Sequence, residues 1–442
     1  MAAPSASIPL LAFPENAVIN GTLPKFLAQT AVERGPIFRL RTSTEGDFVF
    51  MVGPEANRFV MHTHRHHFSH NLGWTPVVGD WLGQGLLNMD GHEHLIHRRM
   101  MNPAFTSSYL SAYLPVMQQV VAARSSDWLV RGRIDAQVEA REIAFDVAAV
   151  ALAGFQAGPQ VDRLREIFYA LLHGFDDSVE TWDQFWQRRT QLLAELDQTL
   201  LATIAARRLV PDSEQPRDVL ARIVHATADG DQKVSDEQIL AHVKILLVAG
   251  HETTTSLAGW SLQLLASNQV WRDHVEAELA ALNRPADVPL KIEELRSLKS
   301  LDLFIREIGR LYSPVLNVPR GVVADFEFGG FLVPAGEQIR LAIAGGHRLP
   351  AVFDNPNAFD PARFEEPRDE DARTPYGLVP FGGGPRTCIG MSFAQLEVKA
   401  LVAHVQRRFR LVPESAAEPA HAGFWTAFAP GGIPLRVLPG NA

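Results

Sequence analysis

The spacing of apolar positions changes twice along the chain. Between about residues 36 and 60 it alternates: Phe38 and Leu40, then Phe48, Phe50 and Val52, flank Glu45-Gly46-Asp47, which predicts a β-hairpin. From about 92 to 315 apolar residues recur every three or four positions. That period predicts helices through Leu110 to Val130, Ile143 to Leu152, Leu164 to Leu172, Phe185 to Ile204 and Val219 to Ile223. A longer helix opens with the capping box Ser235 to Gln238 and runs to about Ala266. Beyond Leu311 alternation returns. Phe326 to Val333 predicts a hairpin around Gly329-Gly330, and Gln338 to Ala344 a further strand. A Pro-rich stretch, Pro350 to Pro385, leads into a last helix from about Met391 to Phe409 and short terminal strands. The helices could not bury their apolar faces without the flanking segments. One mainly α domain across 1–442, with a minor β region at about 36–60 and 320–345, is therefore expected.

Composition narrows the classes. The 442 residues are 46% hydrophobic and 21% charged, which excludes a disordered chain. A net charge of -9 argues against nucleic acid or an anionic membrane as the main partner. The single cysteine excludes an internal disulfide and any multi-Cys zinc site, and it fits a reducing compartment. No apolar run reaches the ~18 residues of a membrane span; the most apolar window, Ala144 to Phe155, is broken by Asp146. Met1 to Phe13 lacks the basic flank and apolar core of a signal peptide. A soluble, cytoplasmic protein without a membrane anchor is expected.

The lone cysteine sits in Phe381-Gly382-Gly383-Gly384-Pro385-Arg386-Thr387-Cys388-Ile389-Gly390, directly before the last helix. Consecutive glycines allow a tight turn beneath a flat ligand, with amide N–H groups aimed at the sulfur. The helix N-terminus adds positive potential that favours thiolate. Such a sulfur suits haem iron, with Arg386 placed to pair with a carboxylate of the same group. A lone cysteine is ordinarily inert filler; the flanking Gly, Arg and Gly reverse that reading.

Three further constellations carry chemistry. Glu307 and Arg310 share one helix face and sit among apolar residues, so a buried pair is expected, with Arg363 as its third member. In the long helix, Ala249-Gly250-His251-Glu252-Thr253-Thr254-Thr255 puts an acid and three threonines in a core, a rule broken mainly at functional sites. Thr253 lies one turn after Ala249, so a gap there could admit a diatomic ligand beside a hydroxyl, with Glu252 relaying protons. His94 and Arg98, four apart, could both contact haem carboxylates. Eight of the 16 histidines lie between His62 and His97; without a carboxylate or Cys scaffold they read as solvated rather than metal-binding.

These motifs, in this order, resemble the cytochrome P-450 family of haem-thiolate monooxygenases. The Phe-x-x-Gly-x-Arg-x-Cys-x-Gly loop, the Glu-x-x-Arg pair and the Ala-Gly-x-Glu-Thr-Thr segment are all complete, and the match runs from about Asp90 to Phe409. The resemblance implies the family fold, with haem b between the long helix and the Cys-loop helix. It implies Cys388 as iron ligand, Glu307, Arg310 and Arg363 as the supporting triad, and His94, Arg98, Arg320 and Arg386 as propionate partners. Ala249, Phe381, Gly382 and Gly390 would also touch the haem, and Glu252 with Thr253 would form the acid-alcohol pair of oxygen activation. His94 stands where many relatives carry tryptophan, and Leu349 where an acidic residue is common.

The chemistry implied is reductive O2 activation and hydroxylation of a substrate. No flavin motif or extra Fe–S cysteines are present, so the electrons would come from a separate ferredoxin or flavodoxin with its reductase. Arg99, Lys399, Arg407 and Arg408 are candidates for its basic dock. A monomer is expected. The rival readings are an H2O2-dependent peroxygenase, disfavoured by the Glu252-Thr253 pair, and a haem-based sensor, disfavoured because no signalling domain is attached. Helical spacing puts Ile245, Val248 and Ala249 on the side of Thr253. Resemblance adds Trp74, Val78, Leu82, Leu316, Trp425 and Ala427 to the substrate pocket. This set is apolar and implies a lipophilic substrate such as a terpenoid, steroid, retinoid or fatty-acid-like chain.

Overall fold

The computed structural model describes residues 7–42, 46–174, 181–227 and 233–440. Helices form most of it, and the predicted alternating segments form small sheets. In the largest, β1 (Leu10–Ala12), β2 (Ile37–Arg41), β3 (Asp47–Val52), β4 (Phe68–Ser69), β6 (Asn317–Val322) and β9 (Gln338–Ala342) lie in the order β1-β2-β3-β9-β6-β4. The hairpin read from Phe38 to Val52 is the antiparallel β2–β3 pair, in register Phe38↔Phe50; Glu45 of its turn lies outside the described residues. The Gly329-Gly330 turn joins β7 (Phe326–Phe328) to β8 (Phe331–Val333), with φ of 59° and 84° that favour glycine. A third sheet sets β11 (Pro434–Pro439) between β10 (Phe409–Pro413) and β5 (Arg133–Asp135).

Helix boundaries follow the apolar period with two exceptions. The run Leu110 to Val130 splits into Ser107–Arg124 and Trp128–Arg131. At the break, the Ser125 hydroxyl donates to the Val121 carbonyl at 2.7 Å, while Trp128 turns inward and donates its indole N–H to Glu139 at 2.9 Å. The expected strand to Ala344 ends at Ala342 and coils into the turn Ile343–Gly346. A Cβ on Gly345 would lie 2.9 Å from that of Leu27, so only glycine lets this turn meet the helix Leu23–Arg34.

The central helix, Asp236–Ser267, starts at the capping box Ser235/Gln238 and is buried over most of its length. It packs on Ala136–Val147 and on the π-helical turn Ala148–Leu152 that extends it. At Gly250 the two backbones approach closely: an added Cβ would stand 3.3 Å from the Ala148 Cβ.

Beneath the Cys loop lies a charge network with no solvent exposure. Arg310 forms a two-bond fork with Glu307, both at 2.7 Å, and Arg363 Nε reaches Glu307 at 3.1 Å. The expected triad has a fourth member, Glu370, 2.6 Å from Arg363 Nη1, so two buried guanidiniums face two buried carboxylates, and the partly exposed Arg368 meets Glu370 from outside at 2.6 Å. Remaining N–H groups donate to the His347, Pro356 and Ala358 carbonyls from Arg310, and to Asp354 and Ala358 from Arg363. Glu370→Ala should destabilise the protein by about 3–5 kcal/mol, because two buried guanidiniums are then left to share the single carboxylate of Glu307. The exposed neighbour Glu365→Ala should change it by less than about 0.5 kcal/mol. Urea unfolding midpoints of both variants check this.

Candidate active site

The cysteine loop is a chain of tight turns. Gly382 N–H donates to Val379 C=O at 2.9 Å, Cys388 N–H to Phe381 C=O at 2.8 Å, and Thr387 N–H and Oγ1–H to Gly384 C=O at 3.1 and 2.8 Å. Gly382 and Gly384 have φ of 71° and 65°, and a Cβ on Gly384 would collide with the Met61 carbonyl. The helix Met391–Arg408 begins three residues after Cys388. Protein surrounds the sulfur, yet Cys388 retains accessible surface, because that surface opens inward onto a cavity. Burial pushes the Cys388 thiol up, against the opposing pull of the Gly390 N–H and Arg98. Burial thus outweighs, in the protein without a bound group, the pull toward thiolate that the loop supplies.

The cavity measures about 2040 Å³. That is roughly twice the upper end of ordinary ligand pockets, room for a macrocycle and a substrate together. Cys388, Phe381, Gly382, Gly390 and Ala249 line it, with His70, His94, Arg98, Arg320 and Arg386. Arg98 Nη2 bonds the Thr387 carbonyl at 2.6 Å, tying the helix Gly91–Met101 to the Cys loop. Arg320 comes from β6, where it shares a face with Val318. Arg386 donates to the Leu86 and Met89 carbonyls and lies 3.4 Å from Asp90. Asp90 is also bonded by Ser69 Oγ and the His70 and Asn71 N–H groups, which start the helix His70–Leu82.

Burial, then mutual repulsion, pushes this cluster down: Arg320 to about 9 and Arg386 to about 10. His94 falls to about 4, and His70 well below the usual range, so both rings are neutral at pH 7. Three guanidiniums against the Asp90 carboxylate leave two surplus positive charges, which two carboxylates of a bound group would neutralise. Haem b carries two propionates, and the donor set fits it.

Across the site runs the central helix. Ala249 is its one exposed residue between Ile239 and Ala266, and that exposure is to the cavity. Thr253 Oγ1 donates to the Ala249 carbonyl at 2.8 Å. Glu252 Oε1 lies 3.0 Å from His251 Nε2 and 3.2 Å from His173 Nε2. Burial alone would raise the Glu252 carboxyl, but these two imidazoles outweigh it and hold it below the usual range.

Trp74, Val78, Leu82, Ile245, Val248, Ala249 and Trp425 line the cavity as expected, with the Trp74 and Trp425 rings 5.9 Å apart. Leu316 and Ala427 do not. They pack with Ala344 in a separate small core, because Val315 bridges Thr426 and the extended backbone turns those neighbours inward instead. The sequence reading missed the Arg189–Asp80 ion pair (2.7 Å) and His173, which also line the cavity. No motif marks them, since helices distant in sequence bring them together. Two expected docking cations are also engaged: Lys399 is buried against Asp302 (2.5 Å), and Arg407 is held on the Arg284 and Val288 carbonyls. Arg99 and Arg408 are exposed.

A cysteine on a Gly-rich loop, a threonine-bearing helix and a surplus of two positive charges around one large cavity define a haem-thiolate protein. The Cytochrome P450 family model matches residues 8–430, and the chain belongs to that family. It is 33% identical over 370 residues to cytochrome P450 136 of Mycobacterium tuberculosis, covering 82% of this chain and 74% of that one. To cytochrome P450 120 of Synechocystis it is 30% identical over 380 residues, covering 85% and 83%. The solved structure of retinoic acid bound cyanobacterial CYP120A1 superposes with a TM-score of 0.85 at 26% identity, over 98% of this chain and all of that one. The protein is thus a mainly α P450-fold monooxygenase, and its cofactor is haem b.

Replacing Arg320 or Arg386 by Gln should weaken haem retention by about 10- to 100-fold, the loss of one charge-assisted bond of about 1.5–3 kcal/mol. Haem transfer to excess apomyoglobin measures it.

Proposed function

We propose that the chain hydroxylates a lipophilic, mostly hydrocarbon substrate, with Cys388 as iron ligand and electrons from a separate ferredoxin or flavodoxin. The observation that carries this reading is that Cys388, the surplus cations and the Ala249–Thr253 segment all border one cavity. Bound there, haem b supplies the redox-active iron at which O2 is activated. His94, Arg98, Arg320 and Arg386 hold its propionates, and the glycines of the loop keep side chains away from its face. Glu307, Arg310 and Arg363 act only through the loop they support.

Glu252 and Thr253 manage protons. Thr253 donates to Ala249 in the resting helix, so its hydroxyl lone pairs remain available to accept a bond from a cavity guest. Glu252 lines the cavity and is linked to His173 at its outer side, which suits an acid passing protons inward. This arrangement favours O2 chemistry over the peroxide-driven alternative, which needs no such supply.

The aromatic and aliphatic lining supports a substrate bound chiefly by apolar area, about 0.8 kcal/mol per buried methylene. A structural neighbour holding retinoic acid supports a substrate of isoprenoid-like length. Arg99 and Arg408 remain as the basic contacts for an acidic electron donor. The absence of any described helix long and apolar enough to cross a membrane fits a soluble, cytoplasmic protein, and we read it as a monomer.

Cys388→Ala should remove the red-shifted Soret band that the reduced protein shows under carbon monoxide; a variant that keeps the band refutes the ligand assignment. Glu252→Gln and Thr253→Ala should retain haem and substrate binding but yield severalfold less product per reducing equivalent. In a spectral screen, hydrocarbon-rich compounds should shift the haem from low to high spin while small polar compounds do not.

A further inference from the structure

Glu252 is held by two histidines on the same oxygen, and their surroundings differ. His251 is buried, edge-on to Phe145 and Phe168 at 5.3 and 6.4 Å between ring centres. Its Nδ1 lies 2.8 Å from the Leu247 carbonyl. A carbonyl only accepts, so Nδ1 carries a proton. For Nε2 to bond Glu252 Oε1 at 3.0 Å, a second proton must lie between them. The His251–Glu252 pair is thereby a fixed ion pair or its neutral equivalent, in which the His251 ring is buried.

His173 is different. It is the last residue of the helix Pro159–His173, its side chain is 26% exposed, and its Nε2 lies 3.2 Å from the same Oε1. The remaining oxygen, Oε2, has no partner among the described residues, and Glu252 lines the cavity. Among the described residues the groups around His173 are few. Tyr169 packs on its ring at 4.9 Å, and Arg141 lies over that tyrosine at 4.7 Å. Arg189, from the helix Trp182–Arg208, bonds the Leu171 carbonyl and is neutralised by Asp80 of the helix His70–Leu82. Glu252 and His251 face it from the central helix.

We infer that His173 is the proton-entry residue of this enzyme, linking solvent to Glu252, while His251 anchors the carboxylate in place. The inference rests on the acid role proposed for Glu252. A hydronium ion protonates His173 at Nδ1 and leaves as water, the Nε2 proton passes to Glu252 Oε1, and the ring returns to its starting tautomer by losing the Nδ1 proton to solvent and regaining one at Nε2, so that one proton has moved inward. A half-turn of the carboxyl group presents the proton to the cavity. His173 acts in this reading through Glu252, which its Nε2 meets, rather than on the reacting atoms.

The test measures turnover and product per reducing equivalent from pH 5.5 to 8 for the haem-loaded protein, His173→Gln, Glu252→Gln and the double variant. Imidazole side chains change charge in this range. Wild type should turn over faster at pH 6 than at pH 8. His173→Gln, which keeps an N–H toward Oε1 but cannot relay, should be about tenfold slower at pH 6, with a flattened profile and unaltered substrate-induced spin shift. The double variant should be no worse than Glu252→Gln, because both residues serve one path. A wild-type profile flat from pH 6 to 8 overturns the inference without any variant, as does a His173→Gln protein with the wild-type profile. Full product yield in Glu252→Gln would instead remove the reading beneath it.

Discussion

The constraint on which the rest of the site depends is the sealed network of Glu307, Arg310, Arg363 and Glu370. Two positive and two negative charges are removed from water together, and nearly every spare N–H of the guanidiniums ends on a main-chain carbonyl of the irregular 347–358 stretch. A backbone without regular hydrogen bonds is thus pinned to one helix by side chains, where a sheet or helix would have used its own amides. The tie continues to the cysteine. Arg310 bonds the His347 carbonyl, and the His347 ring, kept neutral with a pKa of about 3 by burial and by Arg310, accepts the Val379 N–H at 2.9 Å. Val379 then accepts from Gly382, and Phe381 from Cys388.

That rigidity lets the loop do something locally unfavourable. It buries a thiol whose deprotonation is opposed by its surroundings, and it gathers Arg98, Arg320 and Arg386 about a single carboxylate, Asp90. In the proposed assignment each would be completed by the opposite charge that haem b carries, a cationic iron for the sulfur and two propionates for the arginines. Binding energy for the cofactor is in this sense stored as unrelieved electrostatics in the scaffold. The network of glutamates and arginines holds that scaffold against relaxation.

The opposite wall stores a different irregularity. Ala249 and Gly250 thin the central helix, so that the π-helical turn behind it packs where a Cβ on Gly250 would stand 3.3 Å from the Ala148 Cβ, and the cavity opens in front. Thr253 bonds back to Ala249, and Glu252 is turned toward histidines from its own helix and from a helix some 80 positions earlier. Thr253 and Glu252 have each found a partner, whereas the buried Thr255 and Ser256 hydroxyls of the same helix have none among the described residues.

What the sequence determined by itself was whatever depends on neighbours within a few turns: the periods of helix and strand, the capping box at Ser235, the glycine turns, and the motifs around Cys388, Glu307 and Glu252. Local spacing suffices for these because backbone geometry places residues three or four apart on one face. Even Arg363 could be matched to its partners, since a buried charge pair demands another. Tertiary structure alone decided the rest. Glu370 completes the network from another turn of the irregular stretch, and Leu316 and Ala427 face a small core because strand pairing sets their direction. Lys399, read as a surface cation, is drawn inward by Asp302. The sulfur's protonation depends on how much protein surrounds it, and His173 meets Glu252 only because two helices cross. Desolvation and long-range contact are properties of packing, and no short window of sequence carries them.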